Sequence, residues 1–273
     1  MVSKHIESLI RHPDLYVTRQ ITPVIKSNNM TAEIVWTYLV ARKYENDQQT
    51  LVKKLCGQNE KLPENSKIWL ETYLHPTRIQ QAELKYWRSR ADLSMGHLEL
   101  VENREYQIRS NGDWVCICES KWFDDIHHNA RFPTILQFSQ IIEHAILLHD
   151  KRGNFPDRVY VTLITPRYFK EKLGQFSERV YWEKYREYTI EDKKRLEDDL
   201  RLCPLPFLKY DTDMLISRIY ALKLHWVTFE ELLGLSDLVE SCIPGRYRTT
   251  RDNWKQVFNE MGSEHILREL TQQ

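Results

Sequence analysis

The sequence predicts an α/β protein, with a central mixed β-sheet flanked by helices and a mostly helical C-terminal extension. Three observations carry that reading. Apolar residues recur at helical spacing early in the chain, then switch to alternation between Asp92 and Lys121, the period of a strand. Arg158–Thr165 is an almost unbroken apolar run, as expected of a strand buried on both faces of a central sheet. A helical segment lies between these two strand regions, and strand, helix, strand in that order suits a right-handed crossover.

Residues 1–30 mix helical and extended pieces, broken by Pro13 and Pro23. From Thr31, a candidate cap, Ile34, Val35, Tyr38, Leu39 and Ala41 form one helical face, with Glu33 in the first turn. Residues 46–66 are polar and loop-like apart from a helical patch at 49–56. Further helical runs are expected over 66–74 and over 77–89, the second from the spacing of Ile79, Ala82 and Tyr86. Strands follow over 92–101 and 106–109. The turn Ser110-Asn111-Gly112-Asp113 then predicts a hairpin into the strand Trp114–Lys121, because Asn-Gly supplies the positive φ angles of a tight turn.

Residues 122–133 read as a polar loop containing Asp124, Asp125, His127 and His128. A helix is expected over 134–149, with Ile135, Phe138, Ile141, Ile142 and Ala145 on its apolar face. Beyond Pro166, helices are expected over 167–174, 178–187, 189–201 and 211–224, interrupted at Cys203-Pro204-Leu205-Pro206, and a short capped helix opens at Thr228. A basic tail and a final helix complete the chain. The organisation is therefore a core over 1–166 and a helical extension over 167–273, packed together as one unit.

Composition narrows the function classes. With 8 Trp, 14 Tyr and 9 Phe, the chain has the aromatic content of a folded domain. Its 8 glycines form no phosphate-cradling loop of the dinucleotide or P-loop kind. The formal net charge of +0 argues against coating nucleic acid by bulk charge, leaving local basic patches to do so. Five cysteines without metal-ligand spacing read as buried reduced thiols, with Cys116 and Cys118 on one strand face. No apolar run is long enough to span a membrane and no leader is evident, so a cytoplasmic location is expected.

The chemistry concentrates at the end of one strand. Val115, Ile117, Glu119 and Lys121 share a face, so two apolar side chains give way abruptly to a carboxylate and an ammonium. A solvated strand end would also place that pair side by side, with Asp92 as a turn cap. A core face opening into a cleft explains the abrupt change better. Two carboxylates and a carbonyl suffice for a magnesium ion, which keeps several of its waters. Asp92 and Glu119 would be the ligands, with the Ser120 backbone carbonyl between Glu119 and Lys121 as a third. Lys121 would position or deprotonate the water, or neutralise the phosphate.

Asp92 followed by Glu119-x-Lys121 resembles the PD-(D/E)xK nuclease superfamily, the restriction-endonuclease-like group, over about residues 30–166. The resemblance implies a restriction-endonuclease-like core and Mg²⁺-dependent phosphodiester hydrolysis, Mn²⁺ substituting. It extends to an acidic residue on an early helix, here Glu33, and to a Gln on the helix after the Glu-x-Lys motif. Gln137 and Gln140 both fit that last position, and Gln140, just before Ile141-Ile142, is the more familiar match. Ala91 stands where the family name has Pro.

DNA is the expected substrate, in restriction or defence. Candidate phosphate contacts are Arg88, Arg90 and Lys85, Arg131, and the cluster Arg246, Arg248, Arg251 and Lys255, interleaved with Tyr247 and Trp254. Ordinary helix-surface charge is the competing explanation for these. A homodimer or a partner subunit would supply the second site that double-strand cleavage needs. The alternative function is a catalytically inactive nuclease fold acting as a binding or assembly subunit of a larger complex.

Overall fold

The computed structural model describes residues 15–17, 36–37, 40–41, 43–74, 90–100, 105–121, 128–129, 132–172, 180–189, 193–202 and 212–234. It is α/β, with a mixed sheet flanked by helices. The strands are β1 (Leu15–Val17), β2 (Ile68–Leu74), β3 (Arg90–Gly96), β4 (Leu98–Leu100), β5 (Glu105–Ile108), β6 (Trp114–Ser120), β7 (His128–Asn129), β8 (Phe132–Leu136), β9 (Arg158–Thr165) and β10 (Leu222–Thr228). The helices are α1 (Gln48–Cys56), α2 (Gln137–Ile146), α3 (Arg167–Lys170), α4 (Val180–Tyr188), α5 (Lys194–Leu202), α6 (Thr212–Ile219) and α7 (Phe229–Leu233). Trp36, Thr37, Val40, Ala41 and Lys43 are also helical.

The main sheet runs β10-β9-β6-β3-β2-β5-β4, with β1 beside β2. The strands β2, β3 and β6 are antiparallel, whereas β6, β9 and β10 are parallel. The small pair β7-β8 stands apart.

One face of the main sheet is covered by α2, whose Phe138, Ile141, Ile142 and Ala145 meet Val115, Ile117, Val161 and Leu163. Tyr181, Tyr188, Leu196, Leu200, Leu215 and Ile219 extend the same core. Helix α1 packs against β6, β9 and β10, with Leu51, Val52 and Leu55 buried. Its ends follow from sequence: Asp47 accepts from Thr50 N, and Gly57 closes the helix at φ 69°, a left-handed cap. The terminal carbonyl of Leu55 accepts from Thr162 Oγ1 at 2.7 Å and lies 2.8 Å from His225 Nδ1. Both faces of the sheet are thus covered by short helices.

Four expectations require correction. The helix expected over 66–74 is absent, and Ile68–Leu74 form the strand β2. Ile68, Leu70, Thr72 and Leu74 are buried on one face and Trp69 on the other, and the consecutive buried residues Ile68-Trp69-Leu70 hide the alternation of a strand. Residues 222–228 are likewise a strand, with helix only over 212–219. Leu222, Leu224 and Trp226 alternate along β10, which lies in full register with β9. The helix expected over 134–149 is shorter, because Phe132–Leu136 pairs with β7 before α2 begins.

The fourth correction concerns Asn111-Gly112. Strand β6 pairs with β3 and β9, and β5 pairs with β4 and β2. The antiparallel pairs are nested: Leu93 faces Cys118 and, further in, Leu98 faces Ile108. The turn is an excursion in the returning arm. It is tight all the same, with Asn111 at φ 60° and Gly112 N donating to Arg109 O at 2.8 Å. A turn dipeptide fixes a local reversal and leaves the choice of strand partner to burial. The segment expected to be helical over 77–89 lies outside the described residues.

Gly96 breaks β3 from β4. Its φ is 108°, and a Cβ there would sit 2.8 Å from the Trp114 carbonyl oxygen and 2.9 Å from the Trp114 ring. Gly96→Ala is therefore expected to cost about 2–4 kcal/mol, from backbone strain plus overpacking. A urea melt showing a loss below about 0.5 kcal/mol would contradict this, that being the range of neutral surface changes.

At the end of the strands where β6 and β9 begin, Arg158 donates to both Glu60 oxygens, at 2.8 and 3.1 Å, and to Asp113 at 2.9 Å. Tyr160 also donates to Glu60, and burial with that carboxylate pushes the phenol well above its usual range. This clasp ties the residue 57–66 connection to the sheet and leaves the other strand ends to form the candidate site. Among the described residues, no helix is long and apolar enough to cross a membrane.

Candidate functional site

Strand β6 is buried along its whole length, and its edge towards β3 opens at its last residues. The β3–β6 register extends as far as Leu93 opposite Cys118. On its other side β6 stays paired with β9 through Ser120 opposite Ile164, and Lys121 N donates to Ile164 O at 2.9 Å. The backbone N–H of Ser120 meets a side chain of β3: Asp92 Oδ2 accepts it at 2.7 Å. Two strands that separate at this point form a fork, and Asp92 and Glu119 lie on its two arms.

The other charges converge from β6 and α2. Lys121 Nζ is 2.9 Å from Glu119 Oε1 and donates to Gln137 Oε1 at 3.0 Å. Glu119 is 2% exposed and Lys121 8%. An ion pair this buried carries a desolvation penalty of about several kcal/mol per ion, so it is a poor way to gain stability. Glu119 Oε2 is buried without a hydrogen-bond partner among the described residues. Leaving such an oxygen dry costs about 1–3 kcal/mol, and more for a charged group. A cation reaching that oxygen would offset the cost.

Asp92 is half-buried and Ser120 fully buried. Asp92, Glu119 and the Ser120 carbonyl are hard oxygen donors, the class of ligand that a magnesium ion takes. Among the described residues no group of three His, Cys, Asp or Glu side chains could hold a metal ion. A site completed by carbonyl and water oxygens does not require such a group.

Gln137, at the start of α2, supplies the contact to Lys121, and Gln140 is buried three residues further along that helix. Arg90 opens β3 opposite Tyr73, half-buried, two residues before Asp92. Glu33, Arg88, Arg131, Arg246 and Arg248 lie outside the described residues, as do Lys85, Asp124, Asp125, His127, Tyr247, Arg251, Trp254 and Lys255. Cys116 and Cys118 are free and buried with their sulfurs 3.8 Å apart.

His144 is fully buried in α2, with neither ring nitrogen hydrogen-bonded among the described residues, and burial lowers its pKa to about 3. It is a neutral core residue at pH 7. Sequence reasoning missed Thr37, whose hydroxyl donates to Ser120 Oγ at 2.8 Å. The signal available for it was its spacing of one helical turn from Glu33.

No protein-family model, curated protein or solved structure matches the chain.

Proposed function

We propose that this protein is a divalent-metal-dependent endonuclease that hydrolyses phosphodiester bonds of DNA from a restriction-endonuclease-like core. The observation that carries the reading is the fork between β3 and β6. It sets Asp92 beside the strand end bearing Glu119 and Lys121, and Glu119 Oε2 has no hydrogen-bond partner among the described residues. The order of elements supports it. Antiparallel β2, β3 and β6 lead through α2 to β9, parallel to β6, in the sequence of pieces that the Asp92/Glu119-x-Lys121 resemblance implies.

Asp92, Glu119 and the Ser120 carbonyl would hold Mg²⁺ or Mn²⁺. Once bound, the ion would neutralise charge on the scissile phosphate and acidify a water. Lys121, held by Gln137, can orient that water or take its proton. Arg90 sits near enough in sequence to Asp92 to meet a neighbouring phosphate.

A second reading, a catalytically inactive nuclease fold serving as an assembly subunit, draws on the same ion pair. With Lys121 on Glu119, that carboxylate is already neutralised. The two readings separate on metal binding and cleavage. Parent protein is expected to nick or cut supercoiled plasmid with Mg²⁺ or Mn²⁺ but not with EDTA. Asp92→Asn is expected to lose more than about 100-fold in rate, the upper end of what an outer-shell partner costs. Cleavage by Asp92→Asn at the parent rate would refute the nuclease assignment. A parent protein that neither cuts nor takes up Mn²⁺ would favour the assembly subunit.

A further inference from the structure

The free end of β6 is held from both sides of the sheet. Glu119 and Lys121 project towards α2, and the Ser120 side chain, by alternation, projects to the other face. There Thr37 Oγ1 donates to Ser120 Oγ at 2.8 Å, with both residues buried. The helical segment carrying Thr37 is itself anchored. Tyr44 donates to the Leu232 carbonyl at 2.7 Å, and Trp36 packs on Phe229 with ring centroids 6.0 Å apart. The chain of contacts therefore runs from α7, through Thr37, to the residue whose N–H meets Asp92 and whose carbonyl follows Glu119.

We infer that Thr37 is a positioning residue for the divalent-cation site, an inference that rests on the nuclease reading above. Beyond Cys118 the β3 ladder ends, so β6 is held by β9 on one edge and, towards β3, by the Asp92 side chain in place of backbone pairing. Ser120 joins the peptide that follows Glu119 to the one that carries its own carbonyl, so a shift of Ser120 displaces both. Ligands must be held to about 0.5 Å for a productive site, and a buried hydroxyl pair clamps the one residue that joins them.

The test is Mn²⁺ titration calorimetry on the full chain, with melting temperatures in EDTA as control. Thr37→Val is expected to weaken Mn²⁺ binding by about 10- to 100-fold, the cost of losing an outer-shell partner. Thr37→Ser, which restores the hydroxyl, should bind like the parent. Ser120→Ala keeps its backbone and removes the same bond from the other side, so it carries the test if Thr37→Val does not fold. The double variant should be no weaker than either single one, because both act through one bond. If the parent binds Mn²⁺ and both single variants bind it equally well, the inference fails alone. Multiplied losses in the double variant would also overturn it. A folded parent that takes up no Mn²⁺ removes the metal-site reading, and this inference with it.

Discussion

Lys121→Met is expected to abolish metal-dependent cleavage while making the fold more dependent on metal. Lys121 is the partner of a carboxylate that is 2% exposed, at 2.9 Å. Removing one member of such a pair leaves the other charge buried, at a cost of about 3–5 kcal/mol. For a chain of this size that is roughly 10 °C in Tm. Among the described residues, Glu119 would then have a partner on neither oxygen, since Oε2 has none there already. A ligand that binds only the folded state stabilises it by an amount that grows with the logarithm of its concentration over Kd. Mn²⁺ should therefore raise the Tm of Lys121→Met by more than it raises that of the parent, even as cleavage disappears. Lys121→Arg separates the two roles of the amine. An arginine restores the charge but cannot give up its proton at any accessible pH. Activity retained in Lys121→Arg would make Lys121 an electrostatic group, and activity lost with Tm restored would make it the proton acceptor. Equal Mn²⁺ shifts in parent and Lys121→Met would show that the metal does not reach Glu119.

The strand carrying this pair was legible because its signal is local. Val115, Ile117, Glu119 and Lys121 alternate, and the capped helix expected at Thr228 is present, its cap a capping box of Thr228 with Glu231. Elements decided by tertiary burial were not legible. β2 is covered on both faces, so Ile68-Trp69-Leu70 reads equally well as one turn of helix, and only its place between β3 and β5 makes it a strand. Gln137 and Gln140 are three residues apart on α2, and the residue where that helix starts decides which one faces Lys121. That start was set by the pairing of Phe132–Leu136 with β7, a contact with no mark in the helix's own periodicity. The fork itself depends on where one ladder stops, which neither strand records alone.

Acid is expected to weaken the fold well above the pH at which carboxylates titrate, through His144. In an unfolded chain its imidazole titrates near 6.5, and in the buried interior of α2 it does so at about 3. The unfolded state therefore takes up the proton first. The stability that depends on a neutral His144 is fully present above pH 6.5 and is lost as pH falls from 6.5 towards 3. The full difference corresponds to about 5 kcal/mol. Whole domains have only about 5–15 kcal/mol to lose, so this single ring could decide the acid midpoint. His144→Leu removes both the titration and two buried nitrogens that have no partner among the described residues. It is expected to match or exceed the parent at pH 7.5 and to outlast it increasingly down to pH 4. Urea melts at half-unit steps measure the difference, and taking parent against variant cancels the carboxylates common to both. Parallel stability curves between pH 7 and 4 would clear His144 of the effect. Because α2 also presents Gln137 to Lys121, the same loss of packing should loosen the fork. Activity on DNA is then expected to decline in the acid limb alongside stability, and His144→Leu should extend both together.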